Sequence, residues 1–242
     1  AGLAACVKSR NDGEDIALQY VERGIEVMLG GGRKHFDGKA RKDKRDLKGE
    51  FARRGGAVLM KPADLGSAPR DRALLGLFSE GHIPYVVDQE GGLTKMDPVP
   101  SLASMTRAAL GRLAGAERFV LQVEGGRVDM GCHNDDAAAA IREMVAFDEA
   151  IDVCLEFREE HPDTLVVITT DHATGNPGLN GMGDNYQKSN AHFRNLLSVR
   201  QSVPEIAKRL LLAETPKDYE RRLFESTGDV MAARRREPLE PD

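Results

Sequence analysis

The sequence predicts an α/β fold: a largely parallel sheet with helices on both faces and a helical, charged C-terminal tail. Two observations carry that prediction. Short apolar runs alternate with helix-patterned stretches along most of the chain. Two of those runs, Phe119 to Val123 and Thr164 to Thr170, lead into acids and histidines, and sheets of this kind gather ligands at the carboxyl ends of their strands. The boundaries follow as one α/β domain over residues 1–200 and a charged helical segment over 201–242.

Each element has its own signal. Asp12 to Arg23 reads as a helix, with Asp12 or Asp15 as cap, acids in the first turn and Gly24 as the stop. Ile25 to Leu29 reads as a strand that runs into Gly30, Gly31 and Gly32, a tight exit turn rather than a phosphate loop, because no Gly-Lys-Ser/Thr follows. His35 to Gly49 is rich in charge and reads as a surface loop. Leu47 to Arg54 reads as a helix, Ala57 to Met60 as a strand and Pro62 to Leu65 as a short helical start. Ala73 to Phe78 and Ile83 to Val87 are strand candidates. Ser101 caps a helix that runs to Leu113. After the run Phe119 to Val123, the longest helix covers Asp135 to Phe157, with Ile141, Val145, Asp148, Ile151 and Leu155 along one face. Gly175 to Gly183 is a glycine-rich loop, and the chain beyond Ser202 is helical.

The bulk numbers set limits. Of 242 residues, 40% are hydrophobic and 30% charged, an ordinary balance for a chain that buries a core. A net charge of −5, with no dominant basic face, gives no reason to expect nucleic acid as a specific partner. Arg234 to Arg236, followed by acids, reads as a solvated helix end. No apolar stretch approaches the ~20 residues that span a bilayer. The opening AGLAACVKSR has neither Met nor a basic-then-apolar leader and reads as a cut or processed start. Cys6, Cys132 and Cys154 are too few and too scattered for a disulfide framework.

The chemistry concentrates in FVLQVEGGRVDMGCH (119–133) and TLVVITTDH (164–172). Gly125 and Gly126 turn the chain after Glu124. Asp129 and His133 are four apart, so one turn of helix puts both on one face, where a carboxylate and an imidazole suit zinc. Glu124 has no imidazole near it, and an all-oxygen site suits magnesium. Asp171 and His172 close the second run and reach one ion only if the backbone turns there. Carboxylates buried beside apolar strands need a partner, and a metal supplies one. Other ligands must complete each site. His35, His82, His161 and His192 read as packed or surface residues.

At these residues the chain resembles the alkaline phosphatase family. VEGGRVDMGCH is similar to that family's Val-Glu-Gly-Gly-Arg-Ile-Asp-x-Gly-x-His motif, and VVITTDHATG to its Thr-x-Asp-His motif. VKSR, VMLGGGRKHF, LLGLFSEGHIPY, PSLASMT and AFDEAI follow in the family's order, so the resemblance runs roughly from Val7 to Gly175. It implies that Glu124 binds Mg²⁺, that Asp129 and His133 belong to a first Zn²⁺ and Asp171 and His172 to a second, and that Arg10 grips phosphate. A planar fork suits that last task better than a lysine.

The resemblance also sets what is lacking. The nucleophilic serine of an Asp-Ser-Ala motif, the aspartate shared by the second zinc and magnesium, and a hydroxyl ligand of magnesium are expected upstream of Ala1. A third histidine of the first zinc is expected downstream, where no His follows His192. Met130 stands where relatives often carry Lys or His near the phosphate. The expectation is a portion of a phosphomonoesterase that works through a phosphoserine, inactive as an isolated chain. A phosphate monoester substrate, a homodimer and a place outside the cytoplasm come from the resemblance alone. The alternatives are a non-catalytic metal-binding scaffold, or a sister enzyme of the phosphodiesterase, sulfatase or phosphoglycerate mutase type.

Overall fold

The computed structural model describes residues 3–175, 189–228 and 230. Among them run nine α-helices: α1 (Gly13–Glu22), α2 (Leu47–Arg53), α3 (Val86–Gly91), α4 (Leu102–Leu113), α5 (Gly126–His133), α6 (Ala137–Glu160), α7 (Ser189–Arg194), α8 (Val203–Leu211) and α9 (Pro216–Thr227). Three strands, β1 (Val27–Gly30), β2 (Ala57–Leu59) and β3 (Leu74–Leu77), and three short 3₁₀ turns, at Arg33–His35, Pro62–Leu65 and Asn195–Ser198, accompany them. The chain forms two compact units. The first holds residues 1–84, 98–123 and 149–166, and the second holds 85–97, 124–148 and 167–242.

The first unit is built on a parallel sheet of order β1-β3-β2. Leu74 of β3 lies opposite both Val27 and Ala57, and Leu75 opposite both Met28 and Val58. The central strand is buried at every residue, as a parallel strand covered on both faces must be. Side chains alternate between the two faces. Met28, Val58, Leu75 and Leu77 pack with Ala17 and Val21 of α1 and Leu47 and Phe51 of α2. Leu29 and Leu59 pack on the other side with Phe78 and with Leu102 and Met105 of α4. The expected sheet between helical layers is therefore present. Fully burying each large aliphatic contributes roughly 1.5–3 kcal/mol. Gly76 has no freedom to grow, since a Cβ there would stand 2.7 Å from Leu29 Cδ2 and from the Phe78 ring.

Several elements of this unit match their signals. Gly24 ends α1 at φ +67°, a conformation glycine adopts without steric cost. Ser101 Oγ accepts from Ser104 N at 3.1 Å and caps α4. Asp12 stands at the N-cap of α1 but makes no side-chain cap bond. Its carboxylate takes Ser9 N at 3.2 Å.

The loop read from charge as pure surface is pinned from within. Arg41 is 1% exposed. Its Nη1 donates to Glu14 O at 2.8 Å and His35 O at 2.9 Å, and its Nε donates to Asp43 at 2.8 Å.

Two expected strands are absent. Phe119 to Val123 and Thr164 to Thr170 are in no ladder, and Val120 and Leu165 are 81% and 84% exposed. An apolar run becomes a strand only when a neighbour takes its amides, and the described residues provide none. Ile83 to Val87 is not a strand either. Val86 opens α3, and its amide goes to Glu143 Oε1 at 2.7 Å.

The second unit is helical and is tied together by three buried carboxylates at helix starts, where orphan amides and the helix dipole favour an acid. Glu143 serves α3. Asp136 takes Ala139 N of α6 at 2.9 Å and Val203 N of α8 at 2.6 Å. Asp88 takes Ser202 N at 2.6 Å and Ser202 Oγ at 2.8 Å, just ahead of α8. Along α6 the buried side chains are Ala138, Ala139, Ala140, Glu143, Ala150 and Val153, whereas Ile141, Val145 and Leu155 are exposed. Small residues face inward there, so the expected apolar stripe looks outward. Residues 176–183 of the glycine-rich loop, the His192 side chain and the end of the chain from 231, with Arg234 to Arg236, lie outside the described residues.

Candidate metal centre

The chain turns into α5 at Gly125, and glycines on α5 let it approach α6 closely. A Cβ on Gly125 would meet the Phe147 ring at 2.9 Å, and one on Gly131 would meet Ala140 N at 3.0 Å. Close approach of α5 to α6 fixes the face of α5 that carries Asp129 and His133. Asp129 Oδ1 and His133 Nε2 are 3.5 Å apart. In the second segment, Asp171 Oδ2 and His172 Nε2 are also 3.5 Å apart. Thr170 Oγ1 donates to His172 O at 3.0 Å, and His172 N to Asp171 Oδ1 at 3.1 Å, which folds the backbone locally around the pair.

One hydrogen bond joins the two segments. Thr174 Oγ1 donates to Asp129 Oδ1 at 3.1 Å. Sequence reasoning quoted Thr174 inside a motif but gave it no role. The donor sets fit zinc. Bonds of about 2.1 Å at a tetrahedral angle put two donors about 3.4 Å apart, which is the edge each pair presents. Among the described residues no third His, Cys, Asp or Glu joins either pair, so each pair would supply only two of the four donors that zinc takes.

The carboxylates are not buried, contrary to the desolvation argument from sequence. Asp129 is 39% and Asp171 86% exposed, with His133 at 65% and His172 at 56%. The donor geometry carries the site, and burial does not. Glu124 is exposed as well. Its Oε1 lies 3.0 Å from where a Cβ on Gly126 would sit, over the first turn of α5, a favourable place for an acid. Arg10 is exposed in the turn ahead of α1.

Neighbouring groups sort themselves by contact. Burial, and then the Asp129 charge, push the Cys132 thiol above its ordinary value. Met130 packs against the cluster of Tyr85, Val87, Ala138, Ala139 and Val199, and its Sδ receives Arg127 Nη1 at 2.8 Å. In the first unit the triglycine turn offers no anion cradle at its exit, because the amides of Gly32, Arg33 and Lys34 already go to the carbonyls of Gly81, Ser79 and Glu80.

The family model described as alkaline phosphatase matches residues 4–209. The chain belongs to the alkaline phosphatase family. Alkaline phosphatase 4 of Bacillus subtilis is 31% identical over 225 residues, which cover 90% of this chain and 46% of that protein. The crystal structure of Thermus thermophilus alkaline phosphatase superposes with a TM-score of 0.83 at 36% identity, over 97% of this chain and 51% of that one. A mutant of the TAB5 alkaline phosphatase from an Antarctic bacterium, solved with Mg bound, matches 65% of this chain and 43% of its own at 26% identity and a TM-score of 0.50. The chain spans about half the length of the alkaline phosphatases it matches. The α/β fold inferred from strand and helix alternation is the fold of this family.

Proposed function

We propose that this chain is a portion of a zinc- and magnesium-dependent phosphomonoesterase that hydrolyses phosphate monoesters through a phosphoserine, on a serine outside these residues. The observation that carries the reading is the Thr174–Asp129 hydrogen bond. It brings two acid–imidazole pairs, each with a 3.5 Å edge, into one region of a chain of the alkaline phosphatase family. Asp129 and His133 would hold one zinc, Asp171 and His172 a second, and Glu124 magnesium. Bound metal would supply Lewis acidity toward phosphoryl oxygens. The remaining work falls to the chain itself. Thr174 orients the Asp129 carboxylate through Oδ1, the same oxygen that faces His133 Nε2. His133 and His172 would each offer one imidazole nitrogen to the ion. Arg10 would grip the non-bridging phosphate oxygens with its planar fork.

Family membership favours a monoester over the diester, sulfate-ester and phosphoglycerate alternatives. It is also the support for a homodimer and for a setting outside the cytoplasm. Among the described residues no helix is long and apolar enough to cross a membrane.

Two donors per pair support the expectation that the isolated 242-residue chain binds zinc without turning over substrate. The test is zinc per chain for the wild type, Asp129→Ala and Asp171→Ala, together with hydrolysis of an aryl phosphate. Each variant is expected to lose zinc, and no turnover is expected. Unchanged zinc in both variants would falsify the ligand assignment, and robust hydrolysis abolished by a chelator would show that the nucleophile lies within this chain.

A further inference from the structure

One tyrosine grips both ends of the helix that carries Asp129 and His133. Tyr85 is 3% exposed. The Arg127 guanidinium carbon stands 3.5 Å from the centre of its ring, a cation–π contact at close range. Its hydroxyl accepts from Asn134 Nδ2 at 3.1 Å. Arg127 lies two positions before Asp129, and Asn134 one position after His133, so the two contacts bracket the acid–imidazole pair.

The grip is itself held in place. Arg127 Nη1 donates to Met130 Sδ at 2.8 Å, while Arg127 Nε is buried with no partner. The guanidinium is therefore fixed by stacking rather than by a carboxylate fork. Glu143 accepts from the amide of Val86 at 2.7 Å. That anchors the backbone next to Tyr85.

We propose that Tyr85 is a positioning residue for the metal pair. By holding Arg127 and Asn134, it sets the rotation and height of α5 and so maintains the edge between Asp129 Oδ1 and His133 Nε2. The inference rests on Asp129 and His133 being zinc ligands. Outer contacts that fix ligand orientation affect metal affinity although they never touch the ion.

The test uses the full 242-residue chain. Tyr85→Phe keeps the ring and the stacking and removes only the hydroxyl. Asn134→Ala removes the same hydrogen bond from an exposed position that folding tolerates. Zinc affinity is read by competition with a chromogenic chelator, ligand geometry from the visible spectrum of the Co²⁺-loaded chain, and fold stability from Tm in EDTA. Each variant is expected to weaken zinc binding by about tenfold and to alter the cobalt spectrum. The double variant is expected to be no worse than the weaker single, because both remove one interaction. A drop in Tm with zinc affinity and cobalt spectrum as in the wild type would overturn the proposal and reduce Tyr85 to packing. Asp129→Ala separates the two levels. If it binds zinc like the wild type, the ligand reading fails and the role of Tyr85 with it. If it loses zinc while Tyr85→Phe and Asn134→Ala keep it, only the role of Tyr85 fails.

Discussion

Arg41 is a buried charge with every donor group engaged, and that arrangement makes it hard to replace. Its guanidinium reaches Glu14 O, His35 O and Asp43 from one fixed plane. A lysine has a single ammonium and cannot serve all three. Arg41→Lys is expected to cost about 2–3 kcal/mol in urea denaturation, because buried acceptors lose their donor. Hydrogen bonds from Arg41 hold the Asp43 carboxyl at about 2. A folded-state value below the unfolded one contributes stability above the ordinary carboxylate range, and that stability is lost as pH falls toward the folded value. Asp43→Asn should therefore differ from the wild type at pH 6 and converge with it near pH 2, as measured by urea midpoints across that window. The sequence exposed the proposed ligands but hid the residues that contact their helix. Asp129 and His133 stand four apart, a local spacing that reads directly. Tyr85 and Asn134 are 49 positions apart, and HIPY carries no signal that its tyrosine will meet a helix so far along the chain. Thr174 was in view, but its partner Asp129 lies 45 residues away.

Helix starts in the second unit depend on carboxylates from other helices. Glu143 closes the start of α3 and is buried, and burial raises its pKa above the usual carboxylate range. With the folded value above the unfolded one, the native state holds its proton while the unfolded state has lost it. Stability therefore falls as pH rises through that window. Glu143→Gln keeps an oxygen for Val86 N and removes the charge. It is expected to flatten the dependence above the ordinary carboxylate range and to match or exceed the wild type at pH 7, by chemical denaturation at a series of pH values. A second check on capping is Ser101→Ala, expected to cost about 1 kcal/mol through loss of the bond to Ser104 N. Elements with local signals, such as α4 with its serine cap and β3 with its continuous apolar run, were readable from sequence. The runs Phe119 to Val123 and Thr164 to Thr170 are just as apolar but unpaired. Apolar content shows what a segment can bury, whereas pairing depends on a neighbour that the segment does not specify. The face of α6 misled for a related reason. Alanines pack closely where α5 approaches, so the larger Ile141 and Val145 were not the buried side.

Across the whole molecule, stability should be unevenly distributed, with the covered strand at one extreme and the bare apolar runs at the other. Hydrogen exchange is expected to be slowest at Leu75 and Leu77 and fastest along 164–170, where backbone amides have no ladder partner. Uniform protection across both would contradict the unpaired state of that run. The carboxylates at the start of α8 bear on the order in which the chain becomes structured. Ser202 follows its acceptor Asp88 by 114 positions, and Val203 follows Asp136 by 67. During synthesis both acids leave the ribosome well before the amides they will receive. They remain hydrated while β1, β3 and β2 are already able to assemble. Contacts over such separations slow folding far more than they reduce final stability. The second unit should therefore close late, at the moment α8 is delivered, and a ribosome stalled before residue 202 would carry a finished sheet and a second unit still open.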